Sequence, residues 1–396
     1  MPTLTARTLI TAIGTVSYPV IEVDSAGLIT DISSDPGIRS QAILTPTFLD
    51  IHIHGAVGFD VMSASPAGMR SMERFLASRG TAHFLPTTVT APVEDTLKAL
   101  DCLADSIEAP IQADAATPIG IHLEGPFLSH AKRGVHPPDL LQRPSIALFD
   151  RFQEAARGRI KLLTLAPELA GTRDANPEAL ALIGHAAAQG VRVSLGHTDA
   201  TAAQAEAAIQ AGAVSTTHLF NAMRPLSARD PGIVGVALDS PELYSELICD
   251  GIHVDPLLVR LWLRLKGDHA ILITDAMAAT GMPDGDYKLG LLDVSVSSAG
   301  GVNGIARASL RNAPGTLAGS VLTLDRAVEN LRTFTQCDLA TAVRCASSQP
   351  AAMLGLADTL SSVRVGQPAN LNEFTSDGRL QTTYLRGLRV DLDRTG

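Results

Sequence analysis

The 396-residue chain carries only four cysteines, Cys102, Cys249, Cys337 and Cys345, and no two stand in a CxxC spacing. That scarcity excludes a disulfide framework and a thiolate metal cluster, and predicts free thiols in a reducing cytoplasm. No basic stretch interrupts a formal net charge of −10, which argues against a nucleic-acid partner. A small anion can still be held by a few local Arg and His groups. The longest apolar runs are too short to span a bilayer. The opening "MPTLTARTLI" lacks the basic-then-apolar pattern of a secretory signal. The expectation is a cytoplasmic protein with no membrane partner. Repeats and low-complexity segments are absent as well. So are a GxSxG elbow and a P-loop, which disfavours serine-nucleophile chemistry and a nucleotide-phosphate cradle.

What is present is a globular composition, 45% hydrophobic and 18% charged. The length allows two or three domains, or one large α/β barrel with additions. Apolar runs that end in polar residues alternate with helix-like stretches such as "PAGMRSMERFLASRG" and "NPEALALIGHAAAQG". The predicted strands are Phe48–His54, His83–Thr88, Ile119–Glu124, Ile160–Leu165, Val191–Gly196, Val214–His218, Leu247–Asp250 with a ragged start, and Ala270–Asp275. Thr198 or Asp199 is expected to cap one helix, Pro177 to occupy a first turn, and Gly190 and Gly212 to end helices. Eight such units over roughly 230 residues fit an α/β fold of the (β/α)8 TIM type, whose usual span is ~250 residues. A doubly wound open sheet is the alternative. The polar residues favour the barrel, because His54, Glu124, His197, His218 and Asp275 all fall at or just past strand C-terminal ends. A closed barrel gathers those ends at one mouth. The flanks read as short alternating runs, "PVIEVDSAGLITDIS" and "ANLNEFTSDGRLQTTYLRG". The expected organisation is a catalytic barrel over residues 48–356, with residues 1–47 and 357–396 together building one small β-sandwich domain. The Gly/Ser-rich segment 283–318 reads as a hairpin insertion or a lid.

The stretch "DIHIHG", residues 50–55, carries the first chemical signal. Strand side chains alternate faces, so His52 and His54 point the same way. Two neutral imidazoles on one face are either a hydrogen-bonded core pair or half of a metal site. The other strand ends decide between them by supplying Glu124 in "GIHLEGPF", His197 in "SLGHTDA", His218 in "STTHLFNAM" and Asp275 in "LITDAM". His122, one residue off this line, reads as structural. Imidazoles with carboxylates suit zinc, iron(II) or another divalent first-row ion. An ion with an open position lowers the pKa of bound water toward ~7, giving hydroxide, and polarises carbonyls. Asp275, alone at the eighth strand end, is the candidate general base and acid. Lys161 sits at the wrong end of the fourth strand to bridge two ions, which leaves Glu124 as the available bridge. His136, Asn221 with Ala222, Arg229 and His253 are candidate substrate contacts, with Arg and His suited to a phosphate or carboxylate.

These motifs, with "DPGIVGVAL", "DGIHVD" and "GTLAGSVLTLDRAV", resemble the amidohydrolase superfamily and, within it, the N-acetylglucosamine-6-phosphate deacetylase family. The resemblance runs over about residues 45–355 and is weak in the terminal β segments. It implies removal of the acetyl group from N-acetylglucosamine 6-phosphate, giving glucosamine 6-phosphate and acetate. It further implies that Glu124, His197 and His218 hold the main metal and that Asp275 activates water and protonates the leaving amine. It places His136 on the acetamide side, and Asn221, Ala222, Arg229 and His253 on the sugar or its phosphate. In such a homodimer the arginine can come from the neighbouring subunit. Some family members lack the first-strand histidines and use one ion, whereas His52 and His54 here point to a second, so one or two ions per subunit are expected. Ser227, Ala228 and Pro137 depart from the family pattern on the substrate side. The alternatives are deacetylation of another N-acyl amino-sugar phosphate, such as N-acetylgalactosamine 6-phosphate, or of an N-acyl amino acid. A non-catalytic barrel would be expected to lose metal ligands, and this chain keeps them.

Overall fold

Eight parallel strands close around one axis in the computed structural model, which describes residues 2–168, 171–172 and 174–390. In chain order they are Phe48–Ile53, Thr81–Thr88, Ile121–Glu124, Ile160–Leu165, Arg192–Leu195, Ala213–Thr216, Tyr244–Ile248 and Ala270–Ile273. Each pairs in parallel with the next. Closure runs through the residues after the eighth strand: Asp275 N donates to His52 O at 2.9 Å, and His54 N to Ala276 O at 2.8 Å. An open sheet is thereby excluded.

Burial on both faces explains why these strands read as near-continuous apolar runs. The first is buried at every position. Helices return between strands, with local sequence setting their ends. Ser65 caps Pro66–Ser78, Asn176 caps Pro177–Ala188 and Asp255 caps Pro256–Lys266, each with proline in the first turn. One expected cap is corrected. Thr201, not Thr198 or Asp199, caps Ala202–Ala211, in a capping box with Gln204. The Thr198 hydroxyl and the Asp199 N–H donate instead to Glu168, at 2.5 and 2.7 Å, so the loop ahead of the helix is tied to the loop after the fourth strand. The seventh strand also starts earlier than hydropathy indicated, because Ser245 and Glu246 are polar yet wholly buried.

A polar layer inside the barrel lies below the mouth. His122 is held between Ile51 O at 3.1 Å and Thr164 Oγ1 at 2.8 Å, and Thr217 joins Thr164 and Ser194 at 2.7 Å each. His122 is structural, as expected. Asp50 accepts from Thr274 Oγ1 at 2.6 Å, which ties the first strand to the end of the eighth.

The terminal segments form two facing sheets. A three-stranded antiparallel sheet holds strands Thr3–Thr5, Pro19–Val23 and Ile29–Ser34. A six-stranded sheet combines Thr8–Thr11, Gly14–Ser17 and Ile43–Pro46 with the C-terminal Leu371–Phe374, Leu380–Leu385 and Leu388–Val390. Leu4, Ile21, Val23 and Ile29 of the first pack on Leu9, Leu44 and Leu371 of the second. The segment 285–317 is a four-stranded antiparallel sheet packed on Met277 and Ala279, just past the eighth strand. Asp60 fastens it, accepting from Gly290 N at 2.7 Å.

Gly55, which ends "DIHIHG", is required by close backbone approach. A Cβ there would lie 2.3 Å from Phe59 O and 2.9 Å from Ala278 N. Neither neighbour is a flexible side-chain end, so Gly55→Ala should cost about 1–3 kcal/mol. The urea midpoint should fall with an unchanged slope, and an unaltered midpoint would contradict the reading.

Candidate metal centre and active site

Six side chains meet at the C-terminal mouth of the barrel. His52 and His54 come from the first strand and its end, and Glu124 from the end of the third. His197, His218 and Asp275 lie in the turns after the fifth, sixth and eighth. Those last three have left-handed backbones, φ 47°, 34° and 51°. Non-glycine residues rarely adopt this region, and where they do the surroundings must hold them. Here the turn after each strand swings the side chain back over the barrel axis.

The ring nitrogens and carboxylate oxygens are mutually close. Glu124 Oε1 lies 3.2 Å from His218 Nε2 and 3.3 Å from His197 Nε2, while Oε2 lies 3.2 Å from His54 Nε2. His52 Nε2 is 3.2 Å from His54 Nε2, and Asp275 Oδ1 is 3.1 Å from His54 Nε2. The tautomers follow from the far side of each ring. His54 donates Nδ1–H to Thr87 O at 2.9 Å, and His197 to Lys132 O at 3.0 Å. His52 Nδ1 faces Glu246 Oε2 at 3.2 Å. With Nδ1 protonated in these three rings, their Nε2 lone pairs face one another and the lone pairs of Glu124 and Asp275. Acceptors turned on acceptors in a buried space repel unless a cation lies among them. His218 differs, since its buried Nδ1 has no partner among the described residues.

The donor set fits a divalent ion: neutral imidazoles and carboxylates, with the Nδ1 sides engaged by carbonyls and a carboxylate. His52, His54 and Glu124 form one group that could hold it, and Glu124 with His136 and His197 another; Glu124 Oε1 faces His52, His197 and His218, and Oε2 faces His54. Without a cation, protons take its place. Burial lowers the His54 pKa, but hydrogen bonds to Asp275 and Glu124 outweigh it and raise the pKa to about 9. His52 is raised likewise, by Glu124 and Asp275 against burial. Burial raises the pKa of Glu124 and Asp275, yet the facing imidazoles bring both below the usual carboxylate range.

His136 also lies near this cluster, its Nε2 3.8 Å from Glu124 Oε2. Its Nδ1 faces Thr90 Oγ1 at 2.8 Å and accepts the Thr90 N–H at 3.4 Å, which leaves the proton on Nε2. Burial, reinforced by the His197 imidazole, pushes its pKa down to about 3. His136 is therefore a neutral donor facing the cavity, suited to a carbonyl oxygen more than to a metal.

A cavity of about 380 Å³ opens over the cluster, within the ~300–1,000 Å³ range of small-molecule sites. Asn221, Ala222 and His253 line it with His136. Asp250 holds His253 through Nδ1 at 2.6 Å. Arg229 is exposed on its loop and is not part of this lining, so the single chain does not bring it to the others. Arg224, which does not line this cavity either, is bound to Asp230 and to Asp199 O at 2.8 Å. Several contributors escaped the sequence reading. Glu246, wholly buried on the seventh strand, orients His52 and has one oxygen without a partner among the described residues. Lys132 lines the cavity 3.7 Å from Asp199. Gly315, Thr316 and Leu317 of the inserted sheet form one wall. Only the last had a signal, in the "GTLAGS" stretch.

Residues 43–390 match the amidohydrolase family, and the chain belongs to it. It is 37% identical to an N-acetylglucosamine-6-phosphate deacetylase of Vibrio furnissii, over 94% of this chain and 90% of that protein. It is also 37% identical to an N-acetylgalactosamine-6-phosphate deacetylase of Escherichia coli O157:H7, over 88% of each. Among solved structures, an N-acetyl-D-glucosamine-6-phosphate deacetylase variant from Mycobacterium smegmatis, in complex with N-acetyl-D-glucosamine-6-phosphate, superposes with a TM-score of 0.88. The two are 32% identical, and the match covers 98% of this chain and 99% of that one.

Chelator-treated protein titrated with Zn²⁺ should release protons, because His52 and His54 must give them up to bind. The pKa of His54 is raised, so its proton is held below about pH 9 and lost above it. Zn²⁺ uptake should thus tighten from pH 6 to 9, with less proton release in a His54→Ala protein. Calorimetry in buffers of different ionisation enthalpy measures this; uptake independent of pH would contradict it.

Proposed function

We propose that this protein hydrolyses the acetamide of N-acetylglucosamine 6-phosphate to glucosamine 6-phosphate and acetate. The observation that carries the reading is the convergence of His52, His54, Glu124, His197, His218 and Asp275 beneath a cavity holding a neutral donor, His136. The relatives supply the substrate class.

Zinc is the ion the donor set suits best, with iron(II) or another first-row metal as the alternative. Glu124, His197 and His218 would hold one ion, and His52 and His54 would hold a second where two are bound per subunit. Such an ion supplies Lewis acidity and a lowered pKa for water at its open position. The chain's own groups do the rest. Asp275, whose side chain at 13% exposure is more open than those of Glu124 and the first-strand histidines, accepts the proton of the attacking water and delivers it to the leaving nitrogen. His136 Nε2–H donates to the acetamide oxygen as negative charge builds there. Glu246 keeps the His52 proton on Nδ1. His253 and Asn221, with the backbone around Ala222, face the sugar phosphate. Arg229 points to a homodimer, its guanidinium entering the partner's cavity. Cytoplasmic location accords with free thiols; among the described residues no helix is long and apolar enough to cross a membrane.

The galactosamine relative at equal identity favours a second reading, in which the C4 epimer is the preferred substrate. Amine release from both 6-phosphates and from unphosphorylated N-acetylglucosamine separates these readings. Turnover of neither phosphate would overturn both. Asp275→Asn keeps shape but cannot take a proton, and should lower kcat by ~10²–10⁴-fold with little change in substrate binding. Near-normal kcat would require another base.

Arg229→Ala should lower kcat/KM for the phosphorylated sugar by ~10²-fold and barely affect the unphosphorylated one. Mixing Arg229→Ala chains with Asp275→Asn chains under subunit exchange should restore activity, since one pocket of each mixed dimer then has both side chains. A mixture no more active than its parts would place Arg229 outside the partner's site.

A further inference from the structure

Glu246 stands in the middle of the seventh barrel strand, Tyr244–Ile248, and its side chain reaches the first strand. It and His52 are both wholly buried. Its Oε2 lies 3.2 Å from His52 Nδ1 and accepts the His218 N–H at 3.4 Å. The main chain adds a third tie, since Leu219 N donates to Glu246 O at 2.8 Å. One residue thus touches both halves of the metal centre, at the ring of His52 and at the left-handed turn, φ 34°, that carries His218. Among the described residues Oε1 has no hydrogen-bond partner, and the His52 ring is the one ion-pair partner of the carboxylate.

If the His52 ring required only an acceptor for Nδ1–H, a neutral oxygen would do. For His54 and His197 a carbonyl does, at Thr87 O and Lys132 O. A glutamine amide oxygen would serve at position 246 in the same way. A carboxylate buried there with one bare oxygen, and with neither lysine nor arginine paired to it, is the costlier choice. What it adds over those carbonyls is charge. A carboxylate on Nδ1–H makes the ring more basic at Nε2, and so a stronger ligand. It also sets a negative charge behind the ring, opposite the space that His52 Nε2 shares with His54, Glu124 and Asp275. A cation in that space is favoured by all three carboxylates.

We propose that Glu246 is a positioning residue whose charge sets the affinity of the ion on His52 and His54. The ion on Glu124, His197 and His218 needs from it only a neutral acceptor for the His218 N–H. This rests on the two-ion reading of the mouth and is independent of which sugar is hydrolysed.

Glu246→Gln keeps the shape and the acceptor and removes the charge. Chelator-treated full-length protein is titrated with Zn²⁺ at one pH against a competing chelator, and the parent should take up two ions per chain. The step that His52→Ala abolishes identifies the ion concerned. In Glu246→Gln that step should weaken by ~10–100-fold, and the other step should be unchanged. Circular dichroism and thermal unfolding check that the variant is folded. A second measurement needs no change at position 246: in the zinc-loaded parent, the ¹⁵N shifts of His52, assigned by their loss in His52→Ala, should place the proton on Nδ1. A folded Glu246→Gln protein that holds both ions as tightly as the parent overturns the proposal. So does equal weakening of both steps, a parent that binds one ion at saturation, or a His52 proton on Nε2. Amine release by the parent is scored separately. Turnover of neither 6-phosphate would sink the deacetylase reading and leave the difference between the two titration steps standing.

Discussion

Lone pairs turned on lone pairs are the constraint on which the mouth of this barrel depends. Glu124, Asp275 and the imidazoles of His52, His54 and His197 crowd within hydrogen-bond distance with few protons to share. That arrangement is stable only with a cation or captured protons inside it. Its maintenance falls to the far sides of the rings, where Thr87 O, Lys132 O and Glu246 hold Nδ1–H and so aim each Nε2 inward. These partners come from the second strand, the loop after the third, and the seventh strand. No local segment can assemble them, so the closed barrel is a condition of the chemistry as well as its scaffold.

The same constraint accounts for features that would otherwise weaken the fold. His197, His218 and Asp275 sit in left-handed turns, each costing of order 1–3 kcal/mol. The polar layer of His122, Thr164, Thr217 and Ser194 replaces apolar packing just below them. Each polar group in that layer has a partner, so it costs little and fixes rotamers for the groups above. Asp50 contributes there too. Burial raises its pKa to about 6, while its bond to Thr274 pulls the other way and joins the first and eighth strands where the barrel closes.

The period-two pair His52 and His54 and the polar residues at strand ends were legible because both follow from backbone geometry alone. The barrel was legible for the same reason. Glu246 was not: it lies mid-strand among polar residues, where hydropathy shows only a ragged edge, and its partner His52 is 194 residues away. Thr198 and Asp199 looked like caps because the chemistry of a cap is shared by any tight loop. What assigned them elsewhere was Glu168, a tertiary contact. The segment 283–318 read as a hairpin or lid, and its strand pairing made it a wall of the cavity. Arg229 marks a different limit: it is exposed and does not line its own chain's cavity, so the folded chain alone says no more about it than the sequence did.

An acidic protein that binds an anionic sugar must overcome its own charge. A formal net charge of −10 repels a phosphate at long range, but with a Debye length of about 8 Å in physiological salt that repulsion is mostly screened. What counts is the charge within the mouth. There Glu124 and Asp275 contribute two negative charges and the imidazoles, when neutral, none. On the proposed reading a single divalent ion brings the cluster to neutrality, and a second makes it positive. The first-strand histidines would then do more than hold an ion near the scissile bond: they would help to turn the mouth into an anion-attracting site whose own lysine, Lys132, already faces Asp199. His253 on Asp250, and an arginine from a partner, would need only to orient a phosphate already drawn in. That division is consistent with a metal side that is buried and tightly hydrogen-bonded beside a loop around Ser227 and Ala228 that is exposed.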